Sequence, residues 1–171
     1  DTVRRQRQMC IRDRFFCIVP GFLSSDSNDS GFGTLATDRS EPISFSSDSL
    51  FFNEKTGYSE MKGSVKFSQG NTVLSSNYAQ ISFNLTTNQL EELYASGDVV
   101  LKSGNDVAMG NEAVYNFTKS ELTFLGDVFF SKAGGTVKAQ KAVINTDTGF
   151  ASMTGNVQTT LLPKKQESSG E

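Results

Sequence analysis

At 171 residues, with 36% hydrophobic residues, no Trp and 14 Phe, the chain has room for one domain and short tails. It has no His, which removes the commonest general base, the usual catalytic triads and most transition-metal sites. With five Arg and two Asp in residues 1–14, the rest has 11 basic residues against 17 acidic ones, net −6, a balance that disfavours nucleic acid as a partner.

In chain order, residues 1–14 form a basic tract, Arg4-Arg5-Gln6-Arg7-Gln8-Met9-Cys10-Ile11-Arg12-Asp13-Arg14, that resembles translated sequencing-adaptor read-through. The alternative is the basic n-region of a secretory signal. Residues 15–23 are a nine-residue apolar run, Phe15 to Leu23, too short to span a bilayer and of the length of a signal h-region remnant. Both cysteines, Cys10 and Cys17, lie in these two segments, so no disulfide or Cys-based metal site is expected in the domain that follows. Residues 24–40 are rich in Ser, Asp, Asn and Gly and read as a flexible linker; residues 164–171 are a polar tail.

Between them, residues 41–163 carry one repeated pattern. Gly63, Gly97, Gly126 and Gly155 each open a Gly-polar-Val unit, and Leu50, Ala79, Ala113 and Ala142 hold matching places upstream. The step from upstream residue to glycine is 13 residues in three units and 18 in the second, which therefore carries a five-residue insertion. A period of roughly 30 residues marks a serial architecture.

Parity identifies the elements. Residues two and four away from each glycine are mostly apolar, as in Leu122, Phe124, Val128 and Phe130, whereas the intervening ones are mostly polar. That alternation is the signature of a half-buried strand. Leu125 and Phe129 break it by adding apolar residues to the other face, which predicts cover on both sides of that strand. Turn residues cluster at Lys55–Gly57, Gln69–Asn71, Ser103–Asp106, 133–135 and Asp147–Gly149. The expectation is an all-β fold of hairpins with strands of four to seven residues, the glycines marking bulges. By parity alone, Ile81, Phe83, Val99, Phe124, Val128 and Phe130 face inward, either as packed core or as the wall of an open groove.

No phosphate-binding Gly-x-x-x-x-Gly-Lys-Ser/Thr loop is present, and Glu91 and Glu92 would point to opposite faces of a strand. Enzymatic activity is not expected, and neither a cofactor nor a metal is implied.

The stretch Glu41-Pro42-Ile43-Ser44-Phe45-Ser46-Ser47-Asp48-Ser49-Leu50, followed by Gly63-Ser64-Val65-Lys66-Phe67-Ser68-Gln69-Gly70, resembles the opening of the LptA/OstA-like family. Asn77-Tyr78-Ala79-Gln80-Ile81, Ala113-Val114-Tyr115-Asn116-Phe117, Leu125-Gly126-Asp127-Val128 and Thr160-Leu161-Leu162-Pro163 resemble its later motifs in order. The family consists of periplasmic lipopolysaccharide-transport proteins of Gram-negative bacteria. The resemblance implies a twisted, V-shaped β-jelly roll of short antiparallel strands in the periplasm, with lipid A acyl chains held in an apolar trough. It also implies head-to-tail stacking of copies and contact with inner-membrane LptC-type and outer-membrane LptD-type bridge components. Ile43, Phe45, Leu101, Tyr115 and Phe117 become lipid-binding candidates by position. Stacking would use Ile43 to Phe51 and Asn156 to Leu162. One acyl chain of a dozen carbons is worth on the order of 10 kcal/mol gross at about 0.8 kcal/mol per methylene, so such cargo needs a continuous apolar track.

Two other readings remain at this level. One is the N-terminal domain of an outer-membrane LptD assembly protein, against which the polar tail after Pro163 speaks. The other is a structural β-solenoid or adhesin segment without lipid, which predicts rungs of constant length.

Overall fold

The computed structural model describes residues 41–132 and 134–162; the segments 1–14, 15–23, 24–40 and 164–171 lie outside them. The described chain is all β. Its ten strands are β1 (Ile43–Ser46), β2 (Ser49–Asn53), β3 (Tyr58–Gln69), β4 (Thr72–Phe83), β5 (Leu90–Ser103), β6 (Asp106–Asn116), β7 (Glu121–Lys132), β8 (Gly135–Asn145), β9 (Ala151–Thr154) and β10 (Gln158–Leu161). They form one 10-stranded sheet in sequential order, β1-β3-β4-β5-β6-β7-β8-β10, with β2 also on β3 and β9 also on β8. Every pair is antiparallel. A solenoid stacks parallel rungs, so the solenoid form of that reading is excluded.

The repeated glycines account for the shape. Gly126 and Asp127 sit at φ +74 and +48, two successive left-handed residues inside β7. A side chain is costly at the first, and the short polar side chain of Asp is among the few tolerated at the second. The register on β8 slips between Leu125 and Val128, which is a β-bulge. The same pair recurs at Gly63-Ser64, Gly97-Asp98 and Gly155-Asn156 with nearly the same angles. On the strands between them, Asn77, Asn111 and Gln140 lie against the glycines; a Cβ on Gly126 would stand 2.6 Å from the Asn111 side chain. The four kinks thus line up across the sheet and every long strand bends at one line. Gly63, Gly97 and Gly126 thus lie inside β3, β5 and β7, and β3–β8 are 11 to 14 residues long rather than the four to seven expected, whereas at Gly155 the chain forms two short strands, β9 and β10.

Folding at this line lays one half of the sheet over the other. Phe124 and Phe130 show it within one strand. Six residues of straight strand span ~20 Å, yet their rings are 5.8 Å apart, edge to face. The first arm comprises β2, β9 and residues 58–62, 78–83, 90–96, 112–116, 121–125 and 141–145. The second comprises β1, β10 and residues 65–69, 72–76, 99–103, 106–110, 128–132 and 135–139.

Side-chain size follows the wedge. In the first-arm row next to the fold line, Ala79, Ala95, Ala113 and Ala142 are cross-strand neighbours in one ladder with Met61 and Phe124. Three of the four upstream residues of the sequence repeat, Ala79, Ala113 and Ala142, are thus the small residues needed where the arms meet most closely, while the fourth, Leu50, lies exposed on the edge strand β2. Phe124 fits there because Gly110 faces it; a Cβ on Gly110 would lie 3.2 Å from the Phe124 ring. One row further out the residues are larger: Ile81, Leu93, Leu122 and Ile144 against Phe67, Leu74, Leu101 and Phe130, all buried. The five-residue insertion lengthens the β4–β5 hairpin, whose turn carries the exposed Leu85. Leu125 and Phe129 lie half-buried on the outer face. Among the described residues no second layer covers them, because they are shielded by their own neighbours, such as Met109 beside Phe129.

On the outer face of the first arm, Tyr78 donates to Glu60 at 2.9 Å and accepts from Gln80, while Lys62 pairs with Glu60 at 3.1 Å. Burial, with the Glu60 bond acting in the same direction, pushes the Tyr78 phenol up to about 12 from 10.0. A raised phenol favours the neutral form in the fold. Its contribution to stability is complete below pH 10.0 and is lost as pH rises through about 12. An ultraviolet titration should show one tyrosine ionising late, and Tyr78→Phe should remove that step; an unchanged titration of the variant would contradict the assignment.

Candidate functional site

The site is the space between the arms. Its deep part is formed by Val99 and Val128 of the second arm with Phe124 of the first, each at most 1% exposed. Ile81, Leu101 and Phe130 form the next layer and are buried as well. Toward the rim lie Ile43, Phe45, Phe83, Tyr115 and Phe117, half-buried and packed on this core. All eleven residues expected at the site therefore border one continuous interior, graded from closed floor to accessible rim. For Val99, Leu101, Phe124, Val128 and Phe130 the reason is parity, since each lies two or four positions from Gly97 or Gly126.

The rim is aromatic on the side of the N-terminal edge. Phe45 and Phe67 have ring centroids 5.2 Å apart, Phe67 and Phe117 6.4 Å, and Tyr115 and Phe117 4.3 Å. The Phe67–Phe117 pair spans the two arms. The Tyr115 and Thr146 hydroxyls share a hydrogen bond of 3.2 Å, and Thr146 also donates to the Ser120 carbonyl. Behind this closure, between Phe67, Leu74 and Leu101 on one side and Leu93, Tyr115 and Leu122 on the other, the cavity is about 20 Å³. That is room for roughly one water.

The side toward the C-terminal edge is open. Phe130, Gly135 and Val137 of the second arm face Ala151, Met153 and Gly149 across a slot of about 160 Å³, with Lys132 at its margin. An apolar cavity of about 150 Å³ has the volume of a benzene-sized molecule, so this slot is of that size. Val137 and Met153 are not among the residues expected at the site from the sequence. A signal for them exists, since Met153 stands two residues before Gly155 and Val137 pairs with Phe130 across the ladder. Phe67 likewise follows Gly63 by four residues.

The interior offers little polar chemistry. Thr72 and Ser103 bond each other at 3.0 Å near the rim. Among the described residues no group of three or more His, Cys, Asp or Glu could hold a metal ion, and no helix is long and apolar enough to cross a membrane.

The molecule is thus an open antiparallel sheet folded around an apolar cleft, with β1 and β2 at one end and β9 and β10 at the other. The sequence profile of the LptA/(LptD N-terminal domain) LPS transport protein family matches residues 45–150. The chain belongs to this family, whose members are transport proteins rather than enzymes. Among solved structures, the chain is similar to LptH from Pseudomonas aeruginosa, described as the LptA-homologous periplasmic component of the conserved lipopolysaccharide transport device. The likeness has a TM-score of 0.67 at 19% identity and covers 74% of this chain and 99% of LptH. It shows that the fold is that of an LptA-type β-jelly roll. No curated protein sequence matches the chain.

Proposed function

We propose that this protein carries lipopolysaccharide through the periplasm, with lipid A acyl chains between its arms and copies stacked head to tail. The carrying observation is the apolar interior that opens at Phe130, Val137, Ala151 and Met153 onto a sheet edge, in a chain of a lipopolysaccharide-transport family. The acyl chains enter at this slot and extend toward Leu101 and Tyr115 as the Phe67–Phe117 closure parts. Sugars and phosphates remain in water, as apolar burial alone drives the capture.

Stacking is supported by where apolar surface is left uncovered. Leu50, Phe51 and Phe52 on the first edge and Phe150, Val157, Leu161 and Leu162 on the last are all exposed. Strand addition between β1/β2 of one copy and β9/β10 of the next would cover them and continue the interior from one copy to the next. The same edges would meet LptC-type and LptD-type components at the two membranes. Because the family description also spans the LptD N-terminal domain, the same site can serve in that context.

The test is photo-crosslinking. A benzophenone side chain at position 117 or 153 should capture lipopolysaccharide on irradiation, and one at the outward-facing position 143 should not. Equal labelling at all three positions, or labelling at 143 alone, would overturn the assignment of the interior as the lipid site.

A further inference from the structure

Two kinds of crossing alternate where the strands pass the fold line. β3, β5 and β7 cross with a Gly-polar pair, both residues left-handed: Gly63-Ser64, Gly97-Asp98 and Gly126-Asp127. β4, β6 and β8 cross with one polar residue, Asn77, Asn111 or Gln140, each lying against the glycine of the following strand. In every pair the glycine side holds one residue more than its partner between the two registers. The two edges of the sheet end on opposite kinds. Between β1 and β2 the single residue is Asp48, whose side chain lies against Gly63 and whose N–H donates to the Gly63 carbonyl at 2.9 Å. Between β9 and β10 the pair is Gly155-Asn156, at φ +81 and +48, and the Gly155 carbonyl accepts from the Gln140 N–H at 2.9 Å. On its outer side each edge therefore presents the crossing that the other would need as its next neighbour.

Resting on the stacking of copies proposed above, we propose that this alternation selects which edges join and fixes their register. Asp48 of one copy lies opposite Gly155-Asn156 of the next, as Asn77 lies opposite Gly63-Ser64 within the chain. On the first arm that register places Leu50 and Phe52 opposite Met153 and Ala151. On the second arm it places Ile43 and Phe45 opposite Leu161 and Thr159. Inward rows then meet inward rows: Leu50 pairs with Met61 in its own sheet and Met153 with Ala142, while Phe45 pairs with Phe67 and Thr159 with Val137. A slip by one residue would turn the apolar row of the added strand to the outside. A slip by two would set the left-handed pair against regular strand, with Asp48 displaced from it. Like edges do not match. Two N-terminal edges would oppose Asp48 to Asp48, and like charges directly across a ladder repel. Two C-terminal edges would set one left-handed pair against another, with no single residue between them. Inside the chain no crossing opposes two carboxylates, since Asp98 stands between Asn77 and Asn111 and Asp127 between Asn111 and Gln140. Asp48 opposite Asn156 keeps to the same pattern.

The experiment is disulfide trapping between copies of the full chain, with Cys10→Ser and Cys17→Ser removing its two native thiols. Sedimentation velocity of that chain first records whether copies associate. Two single-cysteine chains are then mixed and oxidised, and the covalent dimers are identified by mass spectrometry. Residues directly opposite across an antiparallel pair have Cα atoms about 4.5–5.5 Å apart, within reach of a disulfide, whereas residues offset by two are about 7–8 Å apart and beyond it. Leu50→Cys with Met153→Cys, and Phe52→Cys with Ala151→Cys, should therefore give mixed dimers. Leu50→Cys with Ala151→Cys, and Phe52→Cys with Met153→Cys, should not. Dimers from an offset mixture would overturn the register, and dimers of Leu50→Cys or of Met153→Cys with itself would overturn it in favour of like edges. Association without any of these disulfides would place the joint elsewhere. A chain that stays monomeric would overturn both the register and the stacking on which it rests. The assay contains no lipopolysaccharide, so failure of the interior to capture lipid would leave its outcome unchanged.

Discussion

Replacing Gly126 by Val should lower the stability of the fold by about 3 kcal/mol. A left-handed residue with a side chain costs about 1–2 kcal/mol, more when β-branched. The remainder comes from Asn111, which would stand 2.6 Å from the new Cβ and has to move. Gly104→Ala is the control, because Gly104 has φ +59 but nothing within 4 Å of its Cβ position. That change should cost about 1 kcal/mol, the backbone contribution alone. Urea unfolding monitored by circular dichroism separates the two. Equal loss at both positions would mean that the fold line is not held by close packing of strands. The consequence extends beyond stability. A strand straightened at Gly126 would carry Phe130 away from Phe124, and the cleft exists only because the strands bend there.

Phe117→Asp should abolish lipopolysaccharide capture while leaving the β-sheet intact. Phe117 lies at the rim, half-buried, with its ring against Tyr115 and Phe67, so a carboxylate there can remain in water in the empty protein. When an acyl chain enters, the same carboxylate must give up that water without a partner. A desolvation cost of about 3 kcal/mol or more corresponds to a loss of more than a hundredfold in affinity. Phe117→Leu keeps the surface apolar and should bind nearly as the parent does. Fluorescence displacement of a lipid A probe measures both variants. Undiminished binding by Phe117→Asp with a native circular dichroism spectrum would place the lipid elsewhere on the molecule.

Much of the fold and of the cleft is legible in the amino-acid sequence. Alternation around Gly63, Gly97 and Gly126 assigns the inward faces of the long strands, and Met61, Val65, Leu122, Phe124, Val128 and Phe130 are indeed buried, whereas around Gly155, at the sheet edge, Ala151, Val157 and Thr159 are exposed. The matching of Ala79, Ala113 and Ala142 picks out residues that stand in one ladder beside the fold line. Bulges are expected at the glycines and occur there. These features are readable because each depends on neighbours one or two residues away, where backbone geometry couples directly to residue type. The same local view fails for Leu125 and Phe129. Their apolar character suggests a covering layer, whereas cross-strand neighbours such as Met109 shield Phe129 in part.

What the sequence by itself determined was an all-β chain with one apolar face, a repeating bend and the list of residues that share the interior. That strands run on through Gly63, Gly97 and Gly126 to 12 or 14 residues, but break into β9 and β10 at Gly155, was decided only by the tertiary structure, because strand length depends on how far pairing with the neighbouring strands continues. The state of the interior was decided there as well. A cavity of about 20 Å³ behind Phe117 and a slot of about 160 Å³ beside Met153 arise from the distance between two arms. That distance is set by packing between residues far apart in the chain, and no local pattern encodes it.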